Sequence, residues 1–174
     1  MNEVRRTIAT PEEMHALGER IAAELGAGDT VVLTGDLGAG KTTLTRGIGQ
    51  ALGVRGTVTS PTFVIARTHP RAPGLPPLVH VDAYRLSHAA ELDDLDIDFP
   101  GSIVIVEWGR GMVEALADDR LEIDIDRPHG ASASHESTSA SVAVEEDDGL
   151  ADDAVEPREV VIRGIGSRWA GVTW

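Results

Sequence analysis

The 174-residue sequence has no cysteine, one lysine, one asparagine and few aromatic residues: one tyrosine, two phenylalanines and three tryptophans. Without cysteine, disulfide frameworks and thiolate metal sites are excluded. No apolar run reaches the roughly 18 residues that a membrane-crossing helix needs, and no basic-hydrophobic leader is visible, so a soluble, cytoplasmic protein without membrane contact is expected. Basic charge is also scarce, with 15 Lys and Arg against 29 Asp and Glu and a net charge of -14. That balance disfavours broad binding to DNA or to an anionic membrane, and any nucleic-acid role has to be local or pass through a partner. Arginine outnumbers lysine fourteen to one, a codon-bias pattern that makes the missing lysines elsewhere uninformative. The 41% hydrophobic content is enough for one respectable core, so one catalytic domain is expected.

The single lysine, Lys41, stands in Gly35-Asp36-Leu37-Gly38-Ala39-Gly40-Lys41-Thr42, a complete G-x-x-x-x-G-K-T phosphate-binding loop. The preceding run Thr30 to Thr34 is β-branched and suits a buried strand; the stretch from Thr42 to Leu52 suits a helix. Strand, tight loop and helix start in that order turn successive backbone N–H groups toward one point, where a phosphate accepts them. Lys41 adds a mobile positive charge for the β and γ phosphates, and Thr42 offers a hydroxyl to magnesium. A glycine-rich turn entering a helix is the bland alternative, and the full motif in its strand-loop-helix context disfavours it.

Elsewhere the chain offers supporting pieces. Thr10-Pro11-Glu12-Glu13 is a helix entrance, with Thr10 as cap, Pro11 at the first helical position and Glu13 three residues past the cap. Leu17, Ile21 and Leu25 form its apolar stripe; a contribution of Thr10 to an adenine pocket is the minor reading. Thr59, Ser60 and Thr62 precede the apolar Phe63-Val64-Ile65-Ala66, either as a loop near the γ phosphate feeding a strand or as a plain polar turn. Leu78 to Leu86 reads as a strand delivering Asp82 to its edge or exit, with Tyr84 and Arg85 holding the surrounding loop. Alone, Asp82 reads equally as a helix cap or surface anion, and His80 reads as structural. Glu91 to Phe99 reads as a short amphipathic segment with a solvated acidic face, its rival a recognition surface for a basic partner. Ile103 to Val106 fits a central strand whose terminal Glu107 reaches magnesium at the sheet edge that carries the phosphate loop. Trp108 either packs beside the nucleotide, closes a partner surface, or belongs to the core. Leu121 to Asp126 alternates apolar and acidic residues, as a half-buried edge strand does. Between residues 129 and 157 Ser, Ala, Asp and Glu dominate without Lys or Arg, which predicts a disordered acidic insertion. Strand character resumes at Arg158, and that strand is expected to pair with the preceding edge; Arg158 and Arg163 are candidates to approach phosphate.

The sole asparagine is Asn2, so an internal N-K-x-D guanine motif is absent and ATP is favoured over GTP. Taken together, Gly35 to Thr43, Ser60-Pro61-Thr62-Phe63, Asp82-Ala83-Tyr84-Arg85-Leu86 and Val106-Glu107-Trp108 resemble the bacterial tRNA threonylcarbamoyladenosine biosynthesis ATPase family TsaE, formerly YjeE. The resemblance covers about residues 8–127 and returns more weakly from 158. The acidic insertion and Gly109-Arg110 depart from the family pattern. The resemblance implies an α/β P-loop NTPase fold: a single domain with a central mixed sheet flanked by helices, its core at 8–127 and a return strand at 158–165. It further implies an Mg-ATP hydrolase needed for the t6A37 modification of tRNA. Such an ATPase acts with TsaD and TsaB, resets or regulates their complex, and meets tRNA only through it. In residue terms it implies nucleotide contact by Asp36, Leu37, Gly38, Ala39, Gly40, Lys41, Thr42 and Thr43, with Trp108 nearby; Thr10 and Arg158 join these candidates from the residues alone. Thr42 and Glu107 are implied for Mg2+, Lys41, Asp82 and Glu107 for catalysis, and Thr59 with Ser60 for a nucleotide-responsive loop. A P-loop small-molecule kinase and a nucleotide-dependent binding module are the alternative readings.

Overall fold

The computed structural model describes residues 2–127 and 156–174. In chain order these form β1 (Asn2–Ile8), α1 (Pro11–Ala22), β2 (Thr30–Thr34), α2 (Lys41–Ala51), β3 (Ala66–His69), β4 (Leu78–Asp82), α3 (Ala89–Asp93), β5 (Ile103–Glu107), β6 (Arg120–Asp126) and β7 (Arg158–Ile165). The strands make one seven-stranded sheet in the order β1-β7-β6-β2-β5-β4-β3. β6, β2, β5 and β4 run parallel at its centre. β1, β7 and β3 are antiparallel to their neighbours, which makes the sheet mixed. The acidic insertion expected at 129–157 lies outside the described residues except for Glu156 and Pro157.

Alternation along the central strands divides the core in two, because successive side chains leave a strand on opposite faces. Val31, Leu33, Ile103, Ile105, Leu121 and Ile123 point toward α1 and α2, where Leu17, Ile21, Leu44 and Ile48 meet them. Val32, Val79, Val81, Val104 and Val106 point the other way, against Leu92 of α3 and Val113. A fully buried side chain of this size contributes about 1.5–3 kcal/mol, so helices on both faces are the natural way to cover strands that are apolar throughout.

At its start, α1 carries a reciprocal cap: the Glu13 N–H donates to Thr10 Oγ1 at 3.1 Å, and the Ala9 N–H donates to Glu13 Oε2 at 2.7 Å. The helix stops at Ala22, so Leu25 packs on the core from beyond its end. Where α1 meets α2 the backbones touch. A Cβ on Gly47 would lie 2.2 Å from the carbonyl oxygen of His15, and one on Gly18 would lie 2.5 Å from that of Leu44.

One expectation is met and one requires correction. β6 alternates as expected, and the edge it offers is taken by β7 as expected, with β1 paired to β7 in turn. β1 escapes a reading of the sequence since its polar Glu3, Arg5 and Thr7 alternate with half-buried positions on an edge strand. The segment Phe63 to Ile65 is not a strand: the N–H groups of Val64 and Ile65 both donate to the Pro61 carbonyl, closing a turn that leaves Phe63 92% exposed. Pairing begins only at Ala66. Among the described residues no helix is long and apolar enough to cross a membrane.

Candidate functional site

β2 ends at Thr34, the glycine loop follows, and α2 begins at Lys41. Gly40, the residue before the helix, has φ 114°, a conformation that L side chains rarely adopt, so glycine is required there. From the first turn of α2 the Lys41 side chain folds back over the loop. Its Nζ donates to the carbonyls of Gly35 at 2.8 Å and Asp36 at 3.0 Å, and lies 4.1 Å above the centre of the Trp108 ring. Lys41 as a whole is 5% exposed. Burial lowers its pKa below the usual lysine range, while the carboxylates of Glu107, Asp82 and Asp36 oppose that shift. The site thus holds a poised cation, satisfied for the moment by two carbonyls and an indole face.

The carboxylates come from adjacent parallel strands. Asp82 closes β4, Glu107 closes β5, and the two are register partners. Both are buried. Asp82 Oδ1 accepts the Tyr84 N–H at 3.0 Å, capping a single 3-10 turn that follows β4. Glu107 Oε1 accepts from the Thr42 hydroxyl at 3.3 Å and lies 2.8 Å from His80 Nε2. Immediately after Glu107, Trp108 takes φ 62°, a left-handed conformation uncommon for a bulky residue. Its N–H donates to the Leu33 carbonyl at 2.9 Å, and its ring packs edge-on against Tyr84 at 5.3 Å. Strain of this kind, on the order of 1–3 kcal/mol, is typical of functional sites. Here it turns the indole onto Lys41.

These groups surround a cleft of about 460 Å³ whose walls, besides the loop and the start of α2, are Ser60, Thr62, Asp82, Tyr84, Glu107 and Trp108. A second, narrower cleft of about 50 Å³ lies between the cap residue Thr10 with Pro11 and Met14 of α1, the loop, and Arg158 of β7. Gly38, Gly40 and Thr43 border both.

A family model described as threonylcarbamoyl adenosine biosynthesis protein TsaE matches residues 8–135. The chain belongs to the TsaE family. It is 52% identical over 160 residues to the tRNA threonylcarbamoyladenosine biosynthesis protein TsaE of Streptomyces coelicolor, covering 90% of this chain and 94% of that one. The protein of the same description from Mycobacterium tuberculosis is 49% identical over 130 residues, 70% of this chain and 77% of its own. The crystal structure of Bacillus subtilis YdiB superposes with a TM-score of 0.67 at 31% identity, over 97% of this chain and 89% of that one.

Within this TsaE chain, the structure gathers most of the residues singled out by sequence. Leu37, Gly38, Gly40, Lys41, Thr42, Asp82, Glu107 and Trp108 converge on the wide cleft, and Thr10 and Arg158 meet Ala39 and Thr43 across the narrow one, whereas Asp36 lines neither and meets Lys41 through its carbonyl. Thr59 is exposed and outside the cleft walls, whereas Ser60 faces the cleft and its hydroxyl lies 2.6 Å from that of Thr62. Arg85 Nη2 donates to the Thr62 carbonyl at 2.6 Å, tying this hydroxyl loop to the turn after Asp82. Arg163 stands away from the site, engaged with Glu3 and Asp124. Sequence reasoning gave Thr62 no role of its own and gave His80 a structural one. Their signal is spacing: Thr62 follows Ser60 by two, and His80 precedes Asp82 by two on the same strand face.

Proposed function

We propose that this chain is the ATP hydrolase of the tRNA threonylcarbamoyladenosine pathway, converting ATP and water to ADP and phosphate to regulate or reset a TsaD–TsaB complex in the cytoplasm. tRNA is met only through that complex. The observation that carries the reading is the convergence of Lys41, Thr42, Asp82 and Glu107 on one cleft at the head of α2, in a chain of this family. The unit proposed to perform it is one domain, residues 8–127 completed by the return strand at 158–165.

In this reading the triphosphate lies along the loop and α2, with base and ribose toward Thr10, Met14 and Arg158. The N–H groups at the start of α2 receive phosphate oxygens, as helix N-termini do. Lys41 leaves the carbonyls of Gly35 and Asp36 for the β and γ phosphates, exchanging neutral acceptors for charged ones. Asp82, buried at its strand end, orients the attacking water or the loop that does so. Ser60 and Thr62 sense the γ phosphate from the facing wall. Thr42 and Glu107 fit a magnesium ion: a hydroxyl and one carboxylate is a usual protein share for a cation that otherwise binds water and phosphate. Held by these two side chains, the ion would supply positive charge to offset that of the phosphates.

Support for a protein partner comes from the rim. Leu37 and Phe63 are each 92% exposed and Tyr84 70% exposed, although the chain has few aromatic residues to spend on its surface. Leu37 and Tyr84 border the cleft itself. Docking of TsaD–TsaB over this rim would cover apolar surface and close the site together. The test is magnesium-dependent ATP turnover with and without TsaD and TsaB: ADP and phosphate should appear without a phosphorylated acceptor, at a rate the pair changes. An unchanged rate would reject the partnership, and a phosphorylated metabolite would reject hydrolysis.

A further inference from the structure

We infer that His80 is the positioning residue of Glu107, holding one carboxylate oxygen so that the other is presented to the cation. The inference rests on the reading of Glu107 as a magnesium-facing group and extends it one layer into the sheet.

His80 sits in β4, completely buried. Its register partner on β5 is Ile105, so Glu107 stands diagonally one step further along the same face, a separation that long side chains can bridge. The imidazole does so, with Nε2 2.8 Å from Oε1. A carboxylate only accepts hydrogen bonds, so the proton lies on Nε2 and the ring donates. Oε1 is also the atom that takes the Thr42 hydroxyl, so both protein contacts fall on one oxygen of the pair.

The other ring nitrogen, Nδ1, is buried and has no hydrogen-bond partner among the described residues. An acceptor left in that state costs stability, and an aliphatic side chain in β4 would avoid the cost. What the imidazole provides that leucine cannot is a donor aimed at Glu107. Hydrogen-bond partners behind a ligating carboxylate set its orientation, and their removal commonly weakens metal affinity by about 10- to 100-fold.

The experiment compares wild type, His80→Leu, His80→Gln and Glu107→Gln by calorimetric binding of a non-hydrolysable ATP analogue over a magnesium titration, with thermal melting of each. His80→Leu should raise the magnesium concentration for half-maximal tightening by about 10-fold or more, leave magnesium-free nucleotide affinity unchanged, and melt no lower than wild type. His80→Gln, whose amide nitrogen falls near the position of Nε2, should recover most of the magnesium response. A wild-type response in His80→Leu alongside a lost response in Glu107→Gln overturns the inference while keeping Glu107 as the cation-facing group. A wild-type response in Glu107→Gln overturns that underlying reading. Equal weakening with and without magnesium in both His80 variants would show His80 to be a packing residue and overturn the inference too.

Discussion

The centre of the sheet and its β1/β7 flank are built to different rules. β4 and β5 are buried at every position, and each delivers one carboxylate at its C-terminal end. β1 and β7 alternate, with their outward residues meeting as ions: Arg163 of β7 bonds Glu3 of β1 at 2.7 Å and also pairs with Asp124 of β6. Charges at the centre are few, enclosed and pointed at one cleft; those on the flank are more numerous, partly exposed and mutually compensated. Chemistry is thereby placed where the dielectric is low and an unpaired charge is costly, and adhesion of the flank is placed where charge is cheap.

The sharpest way to break this division is Lys41→Ala. ATP affinity or turnover should fall by at least about 100-fold, the scale of removing one donor from a charge-stabilising site. Melting should change far less than binding, because the desolvation cost of the buried ammonium offsets part of what its hydrogen bonds and neighbouring carboxylates contribute. Near-normal binding and turnover would remove Lys41 from the mechanism. Asp82→Asn comes next. The amide oxygen keeps the cap on the Tyr84 N–H, so the variant should fold and bind ATP, while partner-stimulated hydrolysis drops by about 100-fold, as expected for loss of a group that handles a proton or its water. Unchanged stimulated turnover would leave Asp82 as a cap alone.

Gly47→Ala inverts the pattern. A methyl group 2.2 Å from the His15 carbonyl forces α1 and α2 apart, and denaturant melts should show a loss of about 1–3 kcal/mol. The smallest effect belongs to Arg163→Gln. Its guanidinium pKa is raised by hydrogen bonds to Asp124 and Glu3, and Glu3 is lowered in turn by Arg163 and then Arg5. The Arg163 and Asp124 side chains are each 24% exposed and that of Glu3 36%, so the variant should melt slightly lower, and by less in concentrated salt than in dilute buffer. A salt-independent loss would mean the flank relies on more than compensated surface charge.

What was legible in the sequence follows the same division. The phosphate loop and the strands ending at Asp82 and Glu107 could be read because local composition determines them: apolar β-branched runs, glycines, then a polar terminus. β1 could not, since Glu3, Arg5 and Thr7 carry no apolar signal and the strand exists only because β7 returns to receive it. The pairing of β7 with β6 was legible, because strand character resumes at Arg158 after an alternating strand; that β7 would in turn receive β1 was not. Phe63 and Val64 look like strand formers, yet the hydrogen bonds to Pro61 turn them outward. The left-handed backbone of Trp108 and the diagonal reach of His80 to Glu107 depend on strand register, which one chain's composition does not encode.

The glycine-to-backbone contact between α1 and α2 has a mechanical consequence. With Gly18 and Gly47 letting the two backbones touch, Met14 and the cap Thr10 on one side and Lys41 to Thr43 on the other are held as one packed unit, so the nucleotide would rest against a wall with no loose seam in it. On the opposite side the ties are single and breakable: any rearrangement there would have to release the Thr62 carbonyl from Arg85 and the Ile65 carbonyl from the Asp82 N–H, and turn the indole of Trp108 off Lys41.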